Sequence, residues 1–531
     1  MSLVTGALDS PLAGRARVHC LGDGSQPVTL AELGARAEAS ARGLTRLVGH
    51  RGTVAALLTA SHDCLAVLFG AFRSGCTLVS LPLPARGMDG PEYLSLIGAM
   101  CISSGATHIL CDPGFAATLA GAPMPVHAFG DCADAGTRPA GERGRFIQFT
   151  SGSTGTPRGI VLSLDAIDAN LASMYDWLEP RPGAVVCSWL PLSHDMGLIG
   201  LALYGICSVA DPYRIPTDLV LMNPESFLAD PSSWMRACSD FRATSTTSPP
   251  FALRLASRSL RTGRYDLSSL RSFVVGSEPV PADGLRDFEA AATPCGLAPA
   301  ALCPGYGMAE ATLAVAIDPV SRRWSSVRVD SDALAAREWV EVDDGGTDLV
   351  CCGPPVRDTD VRVAGGGAFG ELEIRSPSLL SGYVGDEGDA LGPDGWLHTA
   401  DLARVRDGDV VVAGRTDDVL IVAGRNLDAR ALDAVAAAHP SCRPGNAACV
   451  EDGAGRYVVV VEPRLEGMDA GDLRAGAREI RAALARRFAA TPSAVVFIER
   501  GTLPKTPSGK VRRNHLRRLW DAGELHQLLR G

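Results

Sequence analysis

The segment 149–159, FTSGSTGTPRG, combines Ser and Thr hydroxyls with glycines directly after the apolar residues 146–148. Hydroxyls and unobstructed backbone N–H groups are the donors that a polyphosphate requires. The Gly-Lys-Ser/Thr ending of a Walker A loop is absent, and Pro157-Arg158-Gly159 stands in its place. The same composition also fits a flexible linker, so the rest of the chain must decide between a linker and a phosphate loop.

Four further segments pair chemically useful side chains with glycine. They are CPGYGMAE at 303–310, GWLHTADL at 395–402, GRTDD at 414–418 and PKTPSGK at 504–510. Together they offer carboxylates for a cation or for hydroxyl groups, an aromatic ring, and basic side chains for anionic groups.

These five segments, in this order, resemble the motifs of the adenylate-forming superfamily of acyl-CoA and aryl-CoA ligases, luciferases and peptide-synthetase adenylation domains. The corresponding family patterns are TSGSTGxPKG, YGxxE, GWxxTGDL, GRxDD and PKTxSGK. The resemblance implies that AMP is transferred from MgATP to a carboxylate, with release of pyrophosphate. The protein must then hold the triphosphate, offset repulsion between anions and stabilise the charge that develops as pyrophosphate leaves.

The resemblance assigns most of the nucleotide contacts. Tyr306 would stack on adenine, and Asp401 would accept hydrogen bonds from the ribose hydroxyls. Arg415 would reach the ribose or a phosphate. The full set of nucleotide-binding residues is Thr150, Ser151, Gly152, Ser153, Thr154, Gly155, Gly276, Ser277, Glu278, Tyr306, Gly307, Asp401 and Arg415. Read without the resemblance, Tyr306 would be a core tyrosine and Arg415 part of an interdomain salt bridge.

Three residues are expected to act on the reacting phosphate. Arg158 replaces the family's lysine; it keeps the positive charge and adds a planar fork. Glu310 would ligate Mg²⁺, because a carboxylate is a hard ligand for a hard cation. Lys510 would be carried by a mobile C-terminal domain to the acid and the α-phosphate, where it neutralises charge in the transition state. Alone, Glu310 would be read as a helix cap and Lys510 as a solvated side chain.

Further segments resemble the fatty acyl-AMP ligase branch of the superfamily. They are WLPLSHDMGLIG at 189–200, DLSSLR at 266–271 and GSEPV at 276–280. In that branch His194 and Met308 would contact the acyl substrate, although His194 fits a buried, hydrogen-bonded histidine equally well. The small and apolar residues 197–207 fit a tunnel wall or core helix packing.

The chain also departs from that branch. The insertion usual between the GYW-like element and the aspartate motif is thought to hinder transfer to CoA; here only a short stretch separates Gly382-Tyr383-Val384 from His398. Ala400 replaces the glycine before Asp401. The other departures are Asp428-Ala429 for Tyr-Pro, Asp433 for a glutamate, Leu164 for a histidine and Pro250 for an asparagine. These differences leave the acid and the acceptor open.

Alternating patterns predict an α/β fold. Val28–Leu47 is amphipathic and opens at Thr29, Thr53–Leu58 is an apolar strand, Cys64–Ser74 fits a helix and Thr77–Leu81 a strand. This β-α-β order predicts parallel sheets covered by helices. Similar strands at Arg145–Phe149, Val185–Leu190 and Leu270–Val275 each feed a Gly- or Ser-bearing turn. Nucleotide-binding loops belong at such carboxyl ends of strands.

The chain length and a change of pattern predict the domain organisation. At 531 residues the chain exceeds the limit of about 250–300 residues for one hydrophobic core. The large N-terminal domain is predicted to span 1–413, with a small β-rich subdomain from about residue 347, where short strands alternate with Gly, Pro and Asp. By resemblance, 414–531 form a mobile α+β C-terminal domain with a hinge near Asp417.

Composition limits the partners and the location. A net charge of −10 without a long basic run argues against a nucleic-acid partner. The fifteen cysteines lack metal-ligand spacing and fit buried thiols in a reducing cytosol. No apolar run is long enough for a bilayer, so we expect a cytoplasmic protein without membrane insertion. The basic cluster 505–518 is interpreted as a solvated face, or as a surface for an acidic carrier protein or a phosphate group.

The motif set predicts activation of a hydrophobic, fatty-acid-like carboxylic acid with MgATP to an acyl-adenylate and pyrophosphate. The acyl group would then pass to the phosphopantetheine thiol of a carrier protein or of CoA, or the enzyme would stop at acyl-AMP and leave transfer to a partner. A second hypothesis is an acyl-AMP-binding, non-adenylating subunit or a thioesterification-only partner. Loss of Lys510, Glu310 or Asp401 would favour it, and all three are present. An amino-acid-selecting domain is less favoured, because no Asp for an α-amino group is identified in the acyl site.

Overall fold

A computed structural model describes residues 2–22, 24–84, 88–134, 144–150, 158–386, 390–422, 425–453, 455–488, 490–505 and 511–530. Two large sheets covered by helices form the first part of the chain, followed by a β-rich region and a C-terminal α+β region. This architecture confirms the α/β fold class predicted from the alternating patterns.

The first large sheet has eight strands and is mostly parallel. Its strands, in spatial order, are Ala314–Ile317, Leu302–Gly307, Ser272–Val275, Ser245–Ser248, Val185–Ser188, Asp218–Met222, Arg17–Leu21 and Val28–Thr29. Only the two outermost strands pair in antiparallel fashion. The predicted strand from Val185 ends two residues early, because the Leu190 N–H turns back to the Ser188 hydroxyl at 3.2 Å.

The second large sheet has seven strands. In spatial order they are Gly382–Tyr383, Arg158–Ser163, Arg145–Thr150, Thr77–Leu81, Thr53–Leu57, Ile109–Cys111 and Val126–Ala128. The five strands from Arg145–Thr150 onward are parallel, and the first two are antiparallel additions. Their apolar residues are almost continuously buried, which is the pattern of a parallel sheet with both faces covered.

Helices cover both large sheets. The longer ones are Leu30–Val48, His62–Ser74, Gly90–Ser104, Leu164–Leu178, Ser232–Asp240, Pro250–Thr262 and Ala282–Ala292. Shorter helices are Leu3–Gly6, Asp195–Gly197, Tyr204–Cys207, Pro224–Ala229 and Ser331–Ala335, and Leu198–Leu203 is a π-helix. The predicted helix start at Thr29 is confirmed, because Thr29 and Glu32 form a reciprocal capping box.

The β-rich region is antiparallel. Its four-stranded sheet runs Asp360–Val363, Gly370–Arg375, Leu397–Arg406 and Asp409–Arg415, and a separate pair joins Ser326–Val329 to Thr347–Val350. The last two strands of the sheet form a hairpin through Asp407 and Gly408, which both have positive φ. A bulge after Leu402 then shifts the register by one residue and sets Asp401 opposite Arg415.

The C-terminal region has its own core. A two-stranded sheet joins Val419–Val422 to Arg425–Asp428, and a four-stranded sheet runs Cys442–Glu451, Tyr457–Pro463, Ala494–Ile498 and Gln527–Arg530. The helices are Ala429–Ala437, Ala470–Phe488 and Arg513–Ala522. The predicted strands at 457–461 and 494–498 and the helix over 473–488 are confirmed in type.

The cysteines behave as ordinary core residues. All fifteen are free, and all but the half-buried Cys295 are buried. Burial raises the pKa of several of them, to about 12 at Cys64 and Cys352, which keeps these thiols protonated and unreactive. Across the described residues, no helix is both long and apolar enough to cross a membrane.

Gly43 gives a test of the helix packing on the second large sheet. Gly43→Ala should raise the helix propensity of Leu30–Val48, yet an added Cβ would lie 1.5 Å from the Cys132 carbonyl oxygen. We therefore expect destabilisation by about 1–3 kcal/mol. The matched control is Gly284→Ala in the helix Ala282–Ala292, where the nearest atom is an ordinary 3.7 Å away and a gain of about 0.5–1 kcal/mol is expected. Urea unfolding measures both, and equal shifts would contradict the packing.

Candidate active site

The candidate site lies where strands of both large sheets end. Arg145–Thr150 leads into the predicted phosphate loop, and Leu302–Gly307 leads into Met308 and Glu310. The Gln148 amide donates to the Ser193 carbonyl oxygen at 2.5 Å, which ties the end of one sheet to a loop of the other. Carboxyl ends of parallel strands therefore converge here, as at ligand sites of open α/β sheets.

Asp401 is the centre of the predicted ribose site. Its side chain is buried, with about 9% exposure. The Tyr306 hydroxyl donates to its Oδ2 at 2.6 Å, and Arg415 Nη1 lies 3.3 Å from its Oδ1. Tyr306 lies 95 positions before Asp401 in the sequence, and Arg415 lies opposite Asp401 on the next strand of the bulged hairpin. The structure thus brings these three residues together. Arg415, whose alternative role was an interdomain salt bridge, forms its salt bridge with Asp401.

The backbone around Asp401 is held by neighbouring side chains. Thr399 accepts from the Asp401 N–H at 3.0 Å and donates to the Leu372 carbonyl at 2.7 Å. Ala400 has φ = 59°, in the left-handed region, and its N–H donates to Glu371 Oε1 at 3.0 Å. A non-glycine residue in this region is strained, which gives the physical reason for a glycine at this place in the resembling motif.

The protonation states in this cluster follow from burial. Burial raises the pKa of Asp401, while the Arg415 charge and the Tyr306 hydrogen bond lower it. Burial and the adjacent Asp401 carboxylate both raise the pKa of Tyr306 far above its usual range. The tyrosine therefore stays protonated and serves as a hydrogen-bond donor to the carboxylate.

Glu310 lies beside this cluster. Burial raises the pKa of the Glu310 carboxyl, Asp195 and Asp401 raise it further, and Arg415 lowers it. The Tyr383 hydroxyl lies 3.5 Å from its Oε1. Within the described chain, Glu310 has no ion pair with a basic side chain. A half-buried carboxylate among other carboxylates is a favourable place for a cation.

Arg158 approaches Glu310 through Tyr383. Its guanidinium carbon stacks 3.4 Å from the centroid of the Tyr383 ring, and its Nη2 lies 3.2 Å from Asp386 Oδ2. A planar guanidinium can stack in this way, whereas a lysine ammonium would present only a point charge. The Arg158 side chain remains about half exposed, so its charge is available at the mouth of the predicted phosphate loop.

His194 is not a fully buried histidine. Its ring is 28% exposed, and Nδ1 lies 2.6 Å from Asp195 Oδ1. It caps the short helix Asp195–Gly197 through the Met196 N–H. The charge of Asp195, the residue after His194, raises the pKa of Glu310, the predicted metal ligand.

The glycines of two motifs are required by close backbone approach. A Cβ at Gly276 would lie 2.7 Å from the Gly305 carbonyl oxygen, and one at Gly307 only 1.9 Å from the Leu313 carbonyl oxygen. Ser277, just after Gly276, has φ = 72°. Tyr306 lies with its hydroxyl 3.9 Å from the Met308 sulfur. These residues therefore line the same strand ends as the Asp401 cluster.

Part of the predicted site lies outside the described residues. This applies to the phosphate-loop residues after Thr150, to Lys510 and to the Asp417 side chain. The residues that flank the phosphate loop are described: Thr150 and Arg158 are register partners in an antiparallel pair. The assigned roles of Ser151, Gly152, Ser153, Thr154, Gly155, Lys510 and Asp417 stay predictions.

The basic cluster 505–518 is largely paired within its own region. Arg513 donates to the Cys449 carbonyl at 2.8 Å and to Asp433 at 2.9 Å, and its Nε lies 3.4 Å from Asp418. Arg517 pairs with Glu451 at 2.7 Å. The interpretation as a solvated face is therefore wrong for Arg513, whose side chain is only 16% exposed and is taken up by two carboxylates and a carbonyl. Arg517 remains 41% exposed and is compatible with it.

Sequence reasoning missed Tyr383 and Asp195. Tyr383 was noted only as part of the segment Gly382-Tyr383-Val384, and its strand pairs with Arg158–Ser163 from more than two hundred residues earlier. A tyrosine shortly before the predicted ribose aspartate was the available signal, but a pairing at this distance cannot be read from local pattern. Asp195 follows His194 directly and could have been considered with it.

Ala400→Gly tests the strain beside Asp401. Relief of the left-handed conformation should raise the free energy of unfolding by about 1 kcal/mol, because the alanine Cβ no longer opposes a positive φ. Ala403→Gly, on the same strand at a fully buried position, should instead lower it by about 1 kcal/mol or more. Thermal and urea unfolding compare the two. A loss of stability in Ala400→Gly would contradict the strain.

Comparisons with known proteins agree with this geometry. The model of the AMP-binding enzyme family matches residues 101–384. The long-chain-fatty-acid–AMP ligase FadD26 of Mycobacterium bovis is 31% identical over 509 residues, covering 87% of this chain and 86% of that protein. The 4-hydroxyphenylalkanoate adenylyltransferase of Mycobacterium tuberculosis is 29% identical over 513 residues, covering 87% and 81%.

Solved structures share the whole fold. A structure from a study of fatty acyl-adenylate ligases of E. coli and L. pneumophila superimposes with a TM-score of 0.88 at 25% identity, covering 99% of this chain and 98% of that one. An adenylation–carrier structure, McyG A-PCP with phenylalanyl-adenylate, has a TM-score of 0.81 at 20% identity, covering 98% and 95%. The second likeness concerns the fold alone. With the family model matching more than half of its length, the chain belongs to the AMP-binding enzymes, the adenylate-forming superfamily that its motifs resemble.

Proposed function

We propose that this protein activates a hydrophobic, fatty-acid-like carboxylic acid with MgATP, forming an acyl-adenylate and pyrophosphate. The observation that carries the proposal is the buried Asp401 carboxylate held between Tyr306 and Arg415, with Glu310 alongside. A family relative of similar length is named as a fatty-acid–AMP ligase, and a solved structure that covers nearly the whole chain comes from the same class.

The Asp401 cluster supplies nucleotide selectivity. Each carboxylate oxygen has two lone pairs, so Asp401 can accept hydrogen bonds from ribose hydroxyls while Tyr306 and Arg415 stay bound. The Tyr306 ring lies at this strand end and offers an apolar face for adenine. Met308, whose sulfur lies 3.9 Å from the Tyr306 hydroxyl, would contact the acyl substrate. Arg415 adds a positive charge that suits a sugar–phosphate, and its own position is fixed by Asp401.

Mg²⁺ fits the residues at Glu310. The carboxylate is partly buried, is close enough to Asp195 and Asp401 for their charges to raise its pKa, and has no basic ion-pair partner among the described residues. A hard oxygen ligand with this uncompensated charge suits a hard cation held jointly with phosphate oxygens. When bound, Mg²⁺ would neutralise phosphate charge. The described chain holds no group of three or more side chains for a resident metal.

The protein's own residues then divide the work of the reaction. Arg158, held by Tyr383 and Asp386, would offset the charge of the phosphates. Lys510 would neutralise the acid and the α-phosphate in the transition state. Because the nucleophile is a carboxylate anion attacking a phosphate anion, these positive charges act where repulsion is greatest.

The acyl group is proposed to lie along the His194 loop and the π-helix Leu198–Leu203. The apolar side chains of this helix are buried, and a Cβ at Gly200 would lie 2.9 Å from Leu313 Cδ2, just beyond the Glu310 segment. A chain of apolar residues that begins next to the reacting groups suits a hydrophobic acid. The two relatives act, by their names, on long-chain fatty acids and on 4-hydroxyphenylalkanoates.

For the second half-reaction we propose transfer to a phosphopantetheine thiol, on a carrier protein or on CoA. The short connection between Gly382-Tyr383-Val384 and His398 lacks the insertion thought to hinder CoA transfer. Between the two half-reactions, rotation about the hinge near Asp417 would move the face of the C-terminal region that carries Lys510 away from the site. A different face of that region would then meet the site.

The direct test is pyrophosphate release with MgATP across fatty, branched, aryl and amino acids, with products read by mass spectrometry. We expect release with hydrophobic acids and a fall of about 10²–10³-fold in Lys510→Ala, because the mutant lacks a charge that acts in the transition state. Arg518→Ala, an exposed arginine of the same region, is the control and should keep the wild-type rate.

The products decide the acceptor. An acyl-CoA peak when CoA is added would identify CoA, and accumulation of acyl-AMP would favour a carrier protein or a separate transferase. Absence of acid-dependent release from the wild type with every acid would contradict the proposed function and favour a non-adenylating subunit.

Glu310→Gln separates the metal role from a structural one. The amide keeps the shape but loses the charge, so we expect the rate to fall by about 10²-fold or more and to recover in part at higher Mg²⁺. The thermal midpoint without ligands should not fall, since an uncompensated half-buried carboxylate is removed. Unchanged activity at low Mg²⁺ would refute the assignment.

A further inference from the structure

Lysine occurs at only two positions in this sequence. Of the 50 Lys and Arg residues, all are arginine except Lys505 and Lys510. Even the phosphate-loop position carries Arg158, where the resembling motif has lysine. A chain that uses arginine everywhere else retains two ammonium groups within six residues, which indicates that a guanidinium does not serve at either place.

Lys505 has specific contacts. Its Nζ donates to the Gly445 carbonyl oxygen at 2.9 Å and to Asn446 Oδ1 at 2.7 Å. Asn446 is 8% exposed, and its own amide donates to the Pro444 carbonyl at 2.9 Å. Burial lowers the pKa of Lys505, which the Glu462 charge opposes. The ammonium is therefore a fixed anchor in the bend of the strand Cys442–Glu451, whose register shifts between Cys442 and Ala447.

The residues on both sides of the segment 506–510 are joined to each other. Lys505 and Val511 form an antiparallel β-bridge, and the Arg512 N–H donates to the Pro504 carbonyl at 2.9 Å. Just upstream, the Leu503 N–H donates to the buried Glu462 carboxylate at 3.0 Å. The residues that flank the segment 506–510 are thus bonded to each other and fixed to the C-terminal sheet.

The second end has an anchor of its own. Arg513 reaches Asp433, the Cys449 carbonyl and Asp418, and Asp418 directly follows the predicted hinge residue. Lys505 on one side and Arg513 on the other therefore attach the Lys510 segment to the same strand, Cys442–Glu451, and to the hinge. A rotation at the hinge would carry the segment as a part of that body.

An arginine would not fit the Lys505 anchor. The site offers a carbonyl oxygen and an amide oxygen to a compact ammonium, and Arg443 already brings a guanidinium to Glu462 nearby. A planar guanidinium with five donors is larger and would leave N–H groups without acceptors in a mostly buried place.

We propose that Lys505 is a positioning residue for Lys510: its ammonium, fastened to Gly445 and Asn446, fixes the start of the segment so that Lys510 reaches the reacting phosphate. The inference rests on the proposed role of Lys510 in adenylation. In this proposal Lys505 acts through Lys510 and is assigned no contact of its own with the substrate.

The kinetic test uses Lys505→Arg and Lys505→Gln, with Arg518→Lys as the matched basic exchange on an exposed position. We expect kcat for pyrophosphate release to fall about tenfold to hundredfold in both Lys505 variants, because a small misplacement of a catalytic group is costly. KM for ATP should stay within about twofold, since the role proposed for Lys505 is to position Lys510 and not to bind the nucleotide. Wild-type kcat in Lys505→Arg would overturn the inference.

A double-mutant cycle distinguishes positioning from general damage. If Lys505 acts through Lys510, Lys505→Arg should cause no further loss in the Lys510→Ala background. An equal loss in both backgrounds would overturn the inference while leaving the proposed function intact. A wild type without release for any acid would instead remove the proposed function.

A readout without catalysis uses the scarcity of lysine. Acetic anhydride can modify only two side-chain amines, so mass spectrometry resolves each rate. Lys505 in the folded protein should react at least about tenfold more slowly than in the urea-unfolded chain, because its ammonium is hydrogen-bonded and largely buried. Equal rates would overturn the anchor even if a Lys505 variant fails to fold.

Discussion

The arrangement of the site depends on one buried carboxylate. Asp401 joins the end of a parallel strand, through Tyr306, to the neighbouring strand of the antiparallel sheet, through Arg415. A buried carboxylate destabilises a fold unless hydrogen bonds and an opposite charge compensate it, so both partners are needed. This compensation joins the end of the eight-stranded sheet to the β-rich sheet and holds together three residues predicted to contact the nucleotide.

The second feature is an imbalance of charge. The charges of Asp195 and Asp401 raise the pKa of Glu310, and Arg415 is the basic group that lowers it. Arg158 is held nearby by a tyrosine ring and an aspartate. In the proposed function, such a site would gain from a cation that arrives with the nucleotide. The electrostatics therefore support the proposal that the nucleotide binds as MgATP.

In the C-terminal region, several basic side chains are held in place by acceptors of the same region. Arg513 and Lys505 are held by acceptors of the same strand, and Arg517 is paired with Glu451. For the role proposed for Lys510, rigid attachment matters because a catalytic group that is misplaced by about an ångström loses most of its effect on a transition state. A region that moves as one body can place Lys510 with this accuracy, whereas a loosely attached loop cannot.

The sequence by itself determined the α/β class, the strand and helix types, the Thr29 cap and the identities of the motif residues, because these depend on local periodicity and side-chain chemistry. The hairpin through Asp407 and Gly408, continued without irregularity, would set Asp401 opposite Gly414. Only the tertiary structure introduced the bulge after Leu402 that brings Arg415 to Asp401. It likewise decided the pairing of Tyr383 with Ile160 and the burial of Lys505. These contacts depend on packing between segments that are far apart in the sequence. Local sequence patterns do not encode the energy of such packing.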